Sequence, residues 1–211
     1  ISLNFDTTSN SLKEFFFPAR EIIFKYERKP GGSFKIIPCQ DKTKQETIFF
    51  GVRSCDVRGV NFQDLFFARE PTDALYREKR ERAILVSFAC NKPPKRSCFC
   101  VLTKGGPFLE TGEGFDLQLI ELENKYLVEV GTKKGEDLIN KYRKFFTKAG
   151  YNDIRKRSLL KDNCSKEFAQ KYNLLSIYEK LKGEDLDNLW KELGKRCTNC
   201  GGCEFICPTC F

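Results

Sequence analysis

Thr47-Ile48-Phe49-Phe50-Gly51-Val52 and Ala83-Ile84-Leu85-Val86-Ser87-Phe88-Ala89 are two short, nearly unbroken apolar runs. Such runs suit strands buried on both faces. Between them, Val57, Val60, Leu65 and Ala68 recur near one face of a helix expected over residues 56–68, and a second helix is expected over 73–82. Strand, helix, strand in that order reads as a βαβ crossover with parallel strands.

Working outward, residues 21–26 and 33–38 read as short strands around the turn Lys29-Pro30-Gly31-Gly32. Downstream comes a stretch rich in glycine (Gly105, Gly106, Gly112, Gly114), then a hairpin pairing 115–122 with 126–130 around Glu123-Asn124-Lys125. Gly112-x-Gly114 leads into a strand and not a helix, so it is a turn and not a phosphate cradle. After Gly131 the chain turns charged and helical. Leu138, Ile139, Tyr142, Phe145, Phe146 and Ala149 keep helical spacing, as do Leu160, Cys164 and Phe168. Leu186, Leu189, Trp190 and Leu193 form an i, i+3, i+4, i+7 stripe that Gly194 is expected to end. The expected organisation is an α/β domain (1–133) with a mixed sheet and a βαβ crossover. A helical segment (134–196) follows, and then a cluster-binding tail of ferredoxin type (197–211).

Composition narrows the chemistry. The chain has 211 residues, 40% hydrophobic and 31% charged, the balance of a globular protein. It contains no histidine. That excludes His-ligated zinc or haem and any Ser–His or Cys–His dyad supplied by this chain alone. Methionine is absent and residue 1 is Ile, so a piece of a longer chain is expected. No apolar run reaches the roughly 18 residues of a membrane helix. The net charge is +8, but basic residues alternate with acidic ones, as in Arg77-Glu78-Lys79-Arg80-Glu81-Arg82. Docking to an acidic protein partner is therefore expected, and nucleic acid is not.

Eleven cysteines are present, five of them in the last fifteen residues. An odd count without a secretory signal favours reduced thiolates as soft metal ligands in the cytoplasm. The run Cys197-Thr198-Asn199-Cys200-Gly201-Gly202-Cys203-Glu204-Phe205-Ile206-Cys207-Pro208 is C-x2-C-x2-C-x3-C-P, which binds [4Fe–4S] clusters in bacterial ferredoxins. Gly201 and Gly202 let the backbone approach and point N–H groups at sulfur. Phe205 and Ile206 are expected to shield the cluster. The fourth ligand is Cys207, Cys210 or a residue beyond Phe211. The alternative is a zinc knuckle of Cys197, Cys200, Cys207 and Cys210, which leaves Cys203 and the proline unexplained.

A second constellation belongs to the α/β half. Cys55 follows the first apolar run, Cys90 follows the second, and Cys98 and Cys100 share a short loop. Parallel strands would bring Cys55 and Cys90 to one carboxyl edge, where open α/β sheets place their sites. Cys55, at a helix start between Arg53 and Arg58, is expected to favour the thiolate. A second cluster on these four thiols is one reading; small buried hydrophobes is the other. Cys39 and Cys164 are expected to be structural.

The chain resembles the β subunit of cytoplasmic sulfhydrogenase-type nickel–iron hydrogenases and the related A subunit of anaerobic sulfite reductase, grouped as 4Fe–4S dicluster proteins. The resemblance runs from Phe15-Phe16-Phe17-Pro18 with Glu21, through Phe50-Gly51-Val52-Arg53-x-Cys55-Asp56 and Tyr76-Arg77-x-Lys79-Arg80-Glu81, to Cys98-Phe99-Cys100. It continues through Gly114-Phe115-Asp116-Leu117 and Val130-Gly131-Thr132 to residues 197–210. It implies an electron-transfer subunit without a catalytic centre of its own, relaying single electrons between a flavin or nicotinamide partner and a catalytic subunit. On that pattern Cys197, Cys200 and Cys203 hold one cluster and Cys207 a second. The rival expectations are a zinc-binding interaction module and a thiol redox enzyme using Cys55.

Overall fold

A computed structural model describes residues 10–38, 45–103, 105–169, 174–183 and 186–210; Cys39 lies outside them. The described residues begin with a short helix, α1 (Lys13–Phe16), and a ribbon in which β1 (Phe24–Arg28) pairs antiparallel with β2 (Phe34–Pro38).

Among the described residues the main sheet has four strands in chain order: β3 (Thr47–Arg53), β4 (Ala83–Phe88), β5 (Leu117–Glu121) and β6 (Tyr126–Val130). The first three are parallel and β6 closes an antiparallel hairpin on β5. Helices α2 (Ser54–Phe67) and α3 (Ala74–Arg82) form the crossover from β3 to β4, so the expected βαβ unit is present.

β4 lies inside the sheet, and all its residues are buried. Its side chains divide by the period of two. Ala83 and Leu85 join Phe16, Val57, Val60 and Tyr76 on one face. Ile84, Val86 and Phe88 meet Leu138 and Ile139 on the other, both carried by α4 (Lys133–Lys141). Each fully buried side chain of this size contributes about 1.5–3 kcal/mol.

β3 differs from its expectation. It is an edge strand, and its cover is incomplete: Ile48 is 51% and Phe50 69% exposed. Leu138 and Ile139 pack over β4 and β5, leaving those two side chains open. Leu65 on α2 is likewise exposed, whereas Gly59 and Gln63 are buried. Together with Cys55 they form an i, i+4, i+8 stripe that receives the end of the chain.

Beyond Lys141 the expected helix breaks into a 3-10 turn (Arg143–Phe145) with Phe145 exposed. The next helix, α5 (Tyr151–Ala169), buries Cys164 among Ala89, Phe108, Ile120 and Leu122. Arg157 ties it to the hairpin, with ion pairs to Glu129 at 2.9 Å and Glu110 at 3.2 Å. Helices α6 (Leu174–Gly183) and α7 (Asp187–Arg196) follow, the latter running past Gly194, and α8 (Gly202–Ile206) is the last. Among the described residues no helix is long and apolar enough to cross a membrane.

Candidate metal centres

The carboxyl ends of β3 and β4 place two cysteines side by side. Cys55 sits in the first turn of α2, where the Asp56 carboxylate accepts the Arg53 N–H at 2.9 Å. Cys90 lies two residues past β4, and its N–H donates to the Pro107 carbonyl at 3.1 Å. The Ser54 hydroxyl donates to that same carbonyl at 2.7 Å, so the loop after Cys100 is fastened to both strand ends. Cys98 and the 3-10 turn beginning at Cys100 pack against the same apolar cluster as Cys164. The Cys164 thiol, from α5, donates to the Cys90 carbonyl at 2.7 Å.

These thiols are close enough to perturb one another. Burial pushes Cys90 up to about 11, with Cys98 adding and Arg53 opposing. Burial pushes Cys100 up to about 12, with Cys90 and Cys98 adding. Cys164 also stands at about 12, through burial and then the charges of Cys90, Glu167, Cys100 and Cys98. Cys55 was expected to favour its thiolate, and the opposite holds. Its residue keeps an accessible face, yet the protein around its sulfur raises the thiol strongly, with the Asp56 carboxylate and the Cys100 and Cys90 thiols adding. Arg58 is turned away into an ion pair with Glu113, so its charge is spent elsewhere.

The tail has the opposite electrostatics. After α7 the chain loops through Asn199 (φ 53°) and Gly201 (φ 71°), left-handed positions that reverse it within a few residues. The Asn199 N–H points at the Cys197 sulfur at 3.4 Å. The Gly202 N–H and then the Thr198 hydroxyl hold the Cys200 thiol below its ordinary value. The Thr209 hydroxyl, 3.3 Å from the Cys207 sulfur, and the Cys210 thiol bring Cys207 down to about 7. Amide and hydroxyl donors aimed at sulfur stabilise thiolates, the liganding form. Cys197, Cys200 and Cys203 are exposed, and Cys207 and Cys210 half-buried. Phe205 and Ile206, expected to shield this loop, are 59% and 52% exposed, and offer an apolar surface instead.

The tail docks on α2. A Cβ at Gly59 would stand 2.7 Å from the Pro208 Cβ, so only glycine admits the proline ring. The Gln63 amide donates to the Pro208 carbonyl at 3.1 Å. Cys55 is one helical turn from Gly59, a rise of about 6 Å, and both thiol groups therefore border the same helix.

Among the described residues no three Cys, Asp or Glu side chains form a ready cage for one metal ion. A single zinc needs all its sulfurs at about 2.3 Å, whereas an iron–sulfur cubane distributes its thiolates over separate corners. The donors of both constellations are thiols, which suit either group, and N–H donors are turned toward the Cys197 and Cys200 sulfurs. Sequence reading missed Gly59, Gln63 and the place of Cys164 beside Cys90. A glycine in mid-helix was the visible signal for the first; nothing marked the other two.

The chain is similar along its whole length to a sulfhydrogenase subunit. It is 29% identical over 210 residues to sulfhydrogenase 2 subunit beta of Pyrococcus furiosus. The match takes in all of this chain and 59% of the relative. No family model matches the chain. No solved structure matches it.

Proposed function

We propose that this chain is an electron-transfer subunit of a hydrogenase-type oxidoreductase complex. Cys197, Cys200, Cys203 and Cys207 hold one [4Fe–4S] cluster, and Cys55, Cys90, Cys98 and Cys100 hold a second at the sheet edge. The observation that carries this reading is the seating of Pro208 on Gly59, which brings the ferredoxin-type run to the helix that holds Cys55 in its first turn. Similarity to a sulfhydrogenase β subunit over the full chain supports it.

When bound, the clusters supply one-electron redox chemistry. The chain's own residues bind and orient. Gly202 and Asn199 donate to the tail sulfurs, Pro208 and Gln63 fix the tail on α2, and the Pro107 carbonyl fastens Ser54 and Cys90 together. The partners are a flavoprotein and a catalytic subunit of the same complex, in an anaerobic cytoplasm. No residue of this chain is assigned a catalytic role.

The test is metal content and spectroscopy of anoxically prepared protein. The wild type is expected to be brown, to hold about eight irons, and to give an EPR signal after dithionite. Cys200→Ala should lose the tail signal and about half the iron, and Cys98→Ala the other half. A colourless protein holding zinc overturns the reading. Four irons abolished by Cys200→Ala and untouched by Cys98→Ala would overturn the second centre alone.

A further inference from the structure

The tail is gripped from the far end of the sequence. Lys13, the first residue of α1, is only 5% exposed. A lysine is almost never this buried without partners, because desolvating an ammonium is costly. Among the described residues, the hydrogen-bond acceptors of its ammonium are all in the tail. The Lys13 Nζ donates to the Glu204 carbonyl at 2.8 Å, to the Cys207 carbonyl at 3.4 Å, and to the Cys210 carbonyl. These three oxygens bracket the last ligand position of the C-x2-C-x2-C-x3-C-P run. One of them belongs to Cys207 itself.

We infer that Lys13 is the positioning residue of the tail centre: its ammonium fixes the Cys207 end of the loop and sets a positive charge beside the bound cluster. This rests on the iron–sulfur reading of the tail. The first consequence is geometric. Backbone carbonyls at 204, 207 and 210 are tied to one atom of α1, so the Cys207 sulfur is presented in a fixed place relative to α2. The second is electrostatic. One-electron reduction adds a negative charge to the cluster, and a cation held in a poorly solvated site stabilises that charge more than the oxidised form. Net charge near the cluster is one of the protein's controls on its potential. Lys13 therefore raises the reduction potential of the tail centre.

Three variants separate charge from hydrogen bonding. Lys13→Arg keeps both, Lys13→Gln keeps donors without charge, and Lys13→Met keeps neither. The full chain is prepared without oxygen, its fold checked by far-UV circular dichroism, its iron counted, and its clusters titrated potentiometrically by EPR. The tail signal is the one abolished by Cys200→Ala. Lys13→Arg is expected to keep the iron and the potential. Lys13→Gln should keep most of the tail iron while its midpoint moves to more negative potential. Lys13→Met should show the same negative shift, or lose the tail iron while the remaining signal and the circular dichroism stay native. Wild-type midpoint and iron content in both Gln and Met variants would overturn the inference. So would the same loss in the Arg variant as in the Met variant. A wild-type chain that holds no iron at the tail would instead overturn the cluster reading, and so the two failures are distinguishable.

Discussion

At Gly59 a single hydrogen atom decides where the end of the chain goes. A glycine in a helix interior costs roughly 1 kcal/mol relative to alanine, so by backbone propensity alone Gly59→Ala should stabilise α2. The added Cβ would, however, meet the Pro208 Cβ at 2.7 Å, closer than carbon atoms tolerate. The expected outcome is a split: thermal unfolding of the sheet unchanged or raised by about 0.5–1 kcal/mol, with hydrogen-exchange protection of the Cys207 and Cys210 amides lost. Unchanged protection in the variant would refute the seating of Pro208. Residue by residue, the sequence was unequally informative. The C-x2-C-x2-C-x3-C-P spacing is legible because its ligands are close in the chain. The state of Cys55 was misread, because flanking arginines say nothing about where their charges point: Arg58 pairs with Glu113, and burial then dominates the thiol.

Among the elements, α5 shows what holds the helical half to the sheet. Arg157 pairs with Glu129 and Glu110, its guanidinium lies 5.7 Å from the Phe108 ring centre, and Lys161 adds a second hold on Glu110. Arg157→Ala should cost about 1–2 kcal/mol in chemical denaturation at neutral pH. The pH dependence follows from Glu110. Burial pushes its carboxyl up, but hydrogen bonds from Lys161 and Arg157 outweigh that and hold it below its ordinary value. A carboxyl depressed on folding contributes stability that is present above its unfolded pKa, near 4.3, and is lost as the pH falls through the folded value. The gap between wild type and Arg157→Ala should therefore narrow below about pH 4, and a gap that stays constant would show that Arg157 acts through packing alone. The strand–helix–strand order was legible because β4 is a run of adjacent apolar residues. The burial of β3 was not, because whether an apolar strand lies inside or at the edge depends on which strand pairs on its far side. The residues 142–149 were misassigned for a related reason: apolar side chains at helical spacing do not forbid a chain from turning at Tyr142.

For the whole molecule, the relevant quantities are its charge and the exposed apolar surface beside the tail. On the proposed function, a net +8 together with exposed Phe205 and Ile206 suits an acidic redox partner that docks close to the tail loop. Reduction by an acidic protein donor should slow as salt is raised from 0.02 to about 0.5 M, following screening of the encounter, when measured by stopped-flow bleaching near 400 nm. A rate that ignores ionic strength would remove the charge from the account. What the sequence determined by itself was local: the four-cysteine run with its proline, the two apolar strands and their parallel connection, and the absence of histidine chemistry. Spacing and apolar runs act over a few residues, and short-range geometry is enough to read them. Only the tertiary structure decided that Lys13, Gly59 and Gln63 hold the tail, that Cys164 stands beside Cys90, and that both thiol groups border α2. Those contacts join residues up to 197 positions apart. Nothing in the local chain encodes such a meeting; it arises when the apolar faces of α1, α2 and the sheet close on one core and carry their side chains together.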